Sequence, residues 1–128
     1  MYELKIFNGI EKHIVEKILL ESPIENFKEG EIVFKEGENS NGKGYVIKSG
    51  KVSININKVV VAELGAGEMF GEIALLREEE RNATVIAISD LELIALTLND
   101  LIEMVNHDEN IINKQIMRRI EENIENNF

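Results

Sequence analysis

The sequence predicts a mainly β domain with helices at both ends, a sandwich or barrel of short antiparallel strands, and three observations carry that prediction. Between Gly30 and Leu98 apolar residues recur with a period of two, in short runs parted by glycine or asparagine. On either side of that stretch the apolar period is helical. The chain has 128 residues, 44% hydrophobic and 30% charged, which suits one domain burying about two-thirds of its unfolded surface. The organisation expected is a single domain over 1–128, with an N-terminal helical segment (1–29), the β body (30–98) and C-terminal helices (99–128).

The first helix is read from "GIEKHIVEKILL", where Ile10, Ile14 and Ile18, with Val15 and Leu19 beside them, share one face and charges occupy the other. "ESPIENFKEG" then breaks it, because the residue before Pro23 is biased away from helix, and a turn region is expected there. The runs "EIVF", "GYVIKSG", "KVSINI", "KVVVAEL", "ATVIAI" and "LELIAL" read as strands. Val52, Ile54 and Ile56 should face one way, and Asn57-Lys58 is expected to form a tight turn into Val59 and Val61. Short antiparallel strands at such spacing favour a sandwich or barrel over a parallel sheet. After Leu98, "TLND" from Thr97 to Asp100 resembles a capping box with Asp in place of Glu or Gln. Asp108 can cap a last helix carrying Ile112, Ile116, Ile120 and Ile124 every four residues.

Composition narrows the function classes. The formal charge of −10 argues against direct DNA binding, which needs a clustered positive surface. Cysteine is absent, which excludes disulfides, thiolate metal sites and a cysteine nucleophile. The start "MYELKIFNGI" lacks the pattern of a secretory signal, and no apolar run approaches the ~20 residues of a membrane span, so a cytoplasmic location away from membranes is expected. The two histidines, His13 and His107, lie outside the β body, which leaves a metal-dependent β-barrel enzyme without ligands.

Two glycine-rich stretches invite a nucleotide reading and fail it. "GENSNGKG", Gly37 to Gly44, matches a phosphate-binding loop until Gly44 stands where the magnesium-binding Ser or Thr belongs, and a strand follows it instead of a helix. In "GAGEMFG" the third glycine of a dinucleotide fingerprint falls at Phe70, with no βαβ unit around it. The first is read as a hairpin loop.

"GEMFGEIALLREEERNATV", Gly67 to Val85, admits two readings. Ile73 to Leu76 could make one helical turn whose free N–H groups, near Ile73 and Ala74, point outward to a phosphate, with Arg81 adding a bidentate charge and Glu72 accepting from hydroxyls. Alternatively, Glu72 and Arg81 form a surface ion pair worth ~0–1 kcal/mol. Spacing alone leaves both open.

The segment resembles the phosphate-binding cassette of the cyclic nucleotide-binding domain family, which reads roughly F-G-E-(Leu/Ile)-A-L-apolar, a short loop, then P-R-(Ala/Ser/Thr)-A-(Ser/Thr)-V. Here it stands as "FGEIALL", "REEE", "RNATV". The likeness extends to "FNGI", "KEGEIVFKEGENS", "GYVIKSGKVSI" and "LELIALTLNDLIEM", covering about Leu4 to Met104. It implies a double-stranded β-helix, a jelly-roll barrel, with the cassette in the β body. It also implies that Glu72 accepts from a ribose 2′-hydroxyl and Arg81 holds a cyclic phosphate. Gly71, Ile73 and Ala74 would line the phosphate through backbone groups, and Asn82 and Ala83 would follow the arginine.

Glu80 replaces the family's frequent proline, and Asn82 replaces the small residue whose hydroxyl favours cyclic GMP in some relatives, so cyclic AMP is the ligand implied and cyclic GMP the second choice. Carboxylates of Glu78, Glu79 and Glu80 at ~8 Å would cost ~1–2 kcal/mol together in water, against ~1.5–3 for a charge-assisted pair to Arg81. They should weaken binding without abolishing it. The function implied is a non-enzymatic cyclic-nucleotide sensor that repositions its C-terminal helices and signals to a separate effector protein, with no cofactor or metal. Ile116, Met117 and Ile120 could pair two copies into a homodimer or pack on their own barrel. The alternative is an interaction module that keeps the barrel and has lost the ligand.

Overall fold

The structure, a computed structural model, describes residues 10–75, 77 and 79–106. Helix α1 (Lys12–Glu21) leads into strands β1 (Ile24–Phe27), β2 (Ile32–Phe34), β3 (Gly44–Ser49), β4 (Val52–Ile56), β5 (Val59–Leu64) and β6 (Met69–Phe70). A 3-10 turn, Glu72–Leu75, then separates β6 from β7 (Thr84–Ala87), and β8 (Leu91–Leu96) and helix α2 (Leu98–Asn106) follow.

The strands form two four-stranded antiparallel sheets, in the orders β1-β8-β3-β6 and β2-β7-β4-β5. Apart from the β4–β5 hairpin, successive strands alternate between the sheets, which is the winding of a jelly roll. Each hydrophobic layer has its own source. Between the sheets lie Phe34, Tyr45, Ile47, Ile54, Phe70, Val85 and Leu93, among others. On the outer face of the first sheet, Val46, Ile94 and Leu96 meet Val15, Ile18 and Leu19 of α1 and Leu101 and Met104 of α2. Strand β3 is therefore buried on both faces, so "GYVI" reads as a continuous apolar run instead of an alternation. Full burial of each large side chain contributes ~1.5–3 kcal/mol.

Local signals are realised as read. Asn57 and Lys58 both adopt positive φ, 51° and 65°, as a two-residue turn matching the sheet twist demands. The capping box forms, with the Thr97 N–H donating to Asp100 Oδ2 at 2.8 Å and the Asp100 N–H donating to Thr97 Oγ1 at 3.3 Å. His13 is exposed beside Glu11.

Two expectations change. The helix begins at Lys12, and the stretch after Pro23, read as a turn, is strand β1 paired with β8 from Ile24↔Ile94 to Phe27↔Leu91. The β body thus starts before residue 30. Pro23 tolerates this position because its missing N–H costs nothing at the start of an edge strand, and its carbonyl accepts from the Ala95 N–H at 2.9 Å. The expected last helix, with Asp108, Ile112, Ile116, Met117, Ile120 and Ile124, and also His107, lies outside the described residues. No helix among the described residues is long and apolar enough to cross a membrane.

Candidate functional site

The site forms where β6 ends. Gly71 has φ 71°, a left-handed value that turns the chain sharply from Phe70 into the 3-10 turn. Glycine is needed twice over, since a Cβ there would lie 2.9 Å from Arg81 Nη1. The turn directs the Glu72 side chain inward, where it is 1% exposed and its Oε2 has no hydrogen-bond partner among the described residues. Burial pushes the Glu72 carboxyl up from 4.5 to about 7, against a smaller opposing pull from a hydrogen bond with its own backbone.

Arg81 arrives from the other side of the loop. Its N–H donates to Glu38 O at 2.7 Å and its carbonyl accepts from the Gly37 N–H at 2.7 Å, so the Gly37–Gly44 loop and the entry to β7 are held side by side. The guanidinium lies over the Phe34 ring, 4.1 Å from its centroid. Nη2 donates to Asn41 Oδ1 at 2.7 Å and to Lys43 O at 3.0 Å, and Nη1 donates to Gly71 O at 3.5 Å. All three acceptors are neutral, and among the described residues Arg81 makes no ion pair. Desolvation lowers its pKa from the usual value, with Tyr45 and Glu38 opposing the shift. A guanidinium nonetheless stays protonated in a protein, so this is a buried cation with 7% exposure.

The surface ion pair between Glu72 and Arg81 does not form: both side chains are buried and neither partners the other. Gly71, Ala74, Arg81 and Asn82 line one recess with Phe34, Ser40, Glu79 and Glu80. Ala74, however, spends its N–H within the turn, donating to Gly71 O at 3.3 Å instead of facing outward. Ile73 contributes backbone to the same turn. Asn82 is exposed at the rim. Ala83 is fully buried in the core between the sheets, because it points to the same face as Val85 and Ala87, and it does not line the recess. In the acidic loop Glu79 pairs with Arg77 at 3.4 Å on the surface, Glu80 bridges to Asn39, and Glu78 lies outside the described residues.

Sequence reasoning missed Phe34, Ser40, Asn41 and the Lys43 carbonyl. The loop that carries the last three failed as a triphosphate site, yet it folds against the cassette. Its Asn-x-Lys stretch is a recognisable side-chain turn signal. Nothing in the sequence joins it to an arginine 40 positions away.

The chain matches the family model described as "Cyclic nucleotide-binding domain" over residues 24–108. It is 31% identical over 105 residues to the cyclic AMP receptor protein of Thermus thermophilus, an alignment covering 78% of this chain and 48% of that protein. It is 44% identical over 64 residues to a cGMP-dependent protein kinase of Plasmodium berghei, covering 50% of this chain and 7% of the kinase. The chain thus spans under half the length of these relatives. Among solved structures it superposes on the Thermus thermophilus catabolite activator protein with a TM-score of 0.78 and 26% identity, over 96% of this chain and 59% of that one. The N-terminal domain of a transcriptional regulator from Streptomyces coelicolor A3(2), at TM-score 0.80 and 21% identity over 97% of this chain and 88% of that one, shares the fold.

Proposed function

The chain belongs to the cyclic nucleotide-binding domain family, and from that premise we propose that it is a non-enzymatic sensor that binds a cyclic mononucleotide between Glu72 and Arg81. Arg81 holds the cyclic phosphate, Glu72 takes the ribose 2′-hydroxyl, and the backbone at Gly71 and Ile73 lines the phosphate. One observation carries this reading: among the described residues, a buried guanidinium without a carboxylate partner sits in the same loop as a buried carboxyl oxygen without a donor. Buried charges are ordinarily paired, and an unpaired one is costly. A ligand with a phosphate anion and a neighbouring hydroxyl would satisfy both groups at once.

Magnitudes favour binding despite the acidic surroundings. A charge-assisted contact to Arg81 contributes ~1.5–3 kcal/mol, whereas each exposed carboxylate at ~8 Å costs ~0.5 kcal/mol before screening. Arg77 further offsets Glu79. Cyclic AMP is preferred over cyclic GMP because Asn82, exposed at the rim of the recess, brings no hydroxyl there.

The output runs through packing. Leu75, at the end of the 3-10 turn, abuts Gly44 of β3, where an added Cβ would meet Leu75 Cδ1 at 3.2 Å and Met69 Cε at 3.0 Å. Met69 in turn packs against the layer that holds α1 and α2. A ligand that shifts the turn therefore presses on the helices, and moves them only by its differential affinity for the two arrangements. A separate effector protein reads that shift, without direct DNA or membrane contact by this domain, and the stretch with Ile116, Met117 and Ile120 supplies either that contact or a homodimer seam.

Titration calorimetry with cyclic AMP and cyclic GMP tests the reading. Saturable heat with tighter binding of cyclic AMP is expected. Absence of heat and of any thermal shift with both nucleotides up to millimolar concentration overturns it in favour of an interaction module that keeps the barrel alone.

A further inference from the structure

Asn41 sits in the Gly37–Gly44 loop with every polar atom of its side chain engaged. Oδ1 accepts from the Lys43 N–H at 3.0 Å, closing a side-chain turn two residues long, and also accepts from Arg81 Nη2 at 2.7 Å. Nδ2 donates to the Tyr45 hydroxyl at 3.0 Å. Tyr45 is itself fixed, 2% exposed and stacked on Phe70 with ring centroids 5.5 Å apart. The turn that Asn41 closes also aims the Lys43 carbonyl, the other acceptor on Nη2, at 3.0 Å. One amide thus organises both contacts at that end of the guanidinium, and the core aromatics brace the amide.

We propose that Asn41 is the positioning residue of the anion site: it holds the Arg81 guanidinium in the recess through a neutral acceptor, so that the arginine is fixed in place while its full charge stays available to an incoming phosphate. This rests on the reading that Arg81 holds the cyclic phosphate. The chemistry separates two roles that one side chain could play. An aspartate is nearly isosteric, closes the same turn, and can accept from the Tyr45 hydroxyl, which is donor and acceptor both. It differs in bringing a carboxylate to the cation, so the phosphate must then compete with a resident anion. Alanine removes the tether without adding charge, leaving Arg81 to lose orientation.

The test uses the full chain and the variants Asn41→Asp, Asn41→Ala and Arg81→Ala. Each is titrated with cyclic AMP and unfolded thermally without ligand. Asn41→Asp is expected to bind roughly 10–100-fold more weakly, the range of a charge-assisted contact converted to affinity, while its ligand-free Tm equals or exceeds that of the wild type. Asn41→Ala is expected to bind about tenfold more weakly with a lowered Tm. A purely structural role predicts parallel losses of stability and affinity in Asn41→Asp, and that result overturns the proposal. So does binding by Asn41→Asp within about threefold of the wild type while Arg81→Ala loses affinity. If the wild type fails to bind, or Arg81→Ala binds like it, the assignment of the phosphate site itself is overturned and Asn41 falls with it.

Discussion

Strands β3 and β7 run between two clusters of loops, and the two ends treat charge differently. At the end where β3 finishes and β7 meets β8, the carboxylates serve the turns. Glu31 Oε1 accepts from the Lys28 N–H at 2.8 Å, Asp90 Oδ1 accepts from the Glu29 N–H at 3.3 Å, and Glu92 Oε1 accepts from Ser49 Oγ at 2.8 Å. At the end where both strands begin, a carboxyl oxygen of Glu72 is buried without a donor and Arg81 is buried against neutral acceptors. Polar groups at the first end are spent on folding. At the second they are left without charged partners among the described residues, at a cost to stability, which is what the proposed binding site would use.

Two glycines test that contrast most strongly. Gly50 has φ 93°, and an added Cβ would fall 2.2 Å from the Asp90 carbonyl oxygen, so Gly50→Ala should cost about 3–5 kcal/mol of stability through backbone strain and overlap. Chemical denaturation would read this loss, while the folded fraction keeps its affinity for cyclic AMP. Gly71→Ala should do the reverse in proportion. It would cost about 1–2 kcal/mol in backbone strain and lose affinity about tenfold, because the methyl group crowds Arg81 Nη1. Equal effects of the two on affinity would erase the distinction between the ends.

The next effect is a pH dependence peculiar to Glu72. Its value in the folded chain, about 7, lies above its ordinary 4.5, so folding favours the protonated form. Its contribution to stability is complete below that ordinary value and is lost as pH rises through about 7. Glu72→Gln stays neutral and should gain on the wild type by up to about 3 kcal/mol between about pH 4.5 and about pH 8. Urea unfolding of both proteins across that interval checks the sign, and parallel curves would mean that Glu72 is not held from water. The same variant should bind cyclic AMP more weakly, since an amide is the poorer acceptor.

Arg81→Ala should reduce cyclic AMP affinity by roughly 10–100-fold, about 1.5–3 kcal/mol. In the same titration Asp90→Asn, at the other end, should leave affinity unchanged. A loss below tenfold for Arg81→Ala places the phosphate elsewhere. The smallest effect belongs to the hairpin turn. Lys58 holds φ 65°, which costs a side chain about 1 kcal/mol, so Lys58→Gly should raise stability by about that amount with no change in binding.

What the sequence made legible follows from distance along the chain. The Asn57-Lys58 turn and the Thr97–Asp100 box are contacts between near neighbours, and both stand as read. The jelly-roll fold was legible through the family resemblance of the Gly67–Val85 stretch and its flanking runs, while the period of two alone gave only a sandwich or barrel. Strand β1 was not. It offers only four residues, two of them Glu25 and Asn26, and its partner β8 supplies most of the apolar pattern from far along the chain. Asn41 and Phe34 were invisible as site residues for the same reason, since each meets Arg81 only after the sheets close. Ala83 follows Arg81 in the motif, but a motif gives an order of residues and not the face each one takes, and Ala83 joins Val85 and Ala87 in the core.

The most direct test of a grip formed by Glu72 and Arg81 is a crystal structure of the chain with cyclic AMP bound. The cyclic phosphate is expected within hydrogen-bond distance of Arg81, the ribose 2′-hydroxyl on Glu72 Oε2, and Asn41 still holding Nη2. A nucleotide seated away from the recess, with Glu72 Oε2 left without a donor, would contradict it.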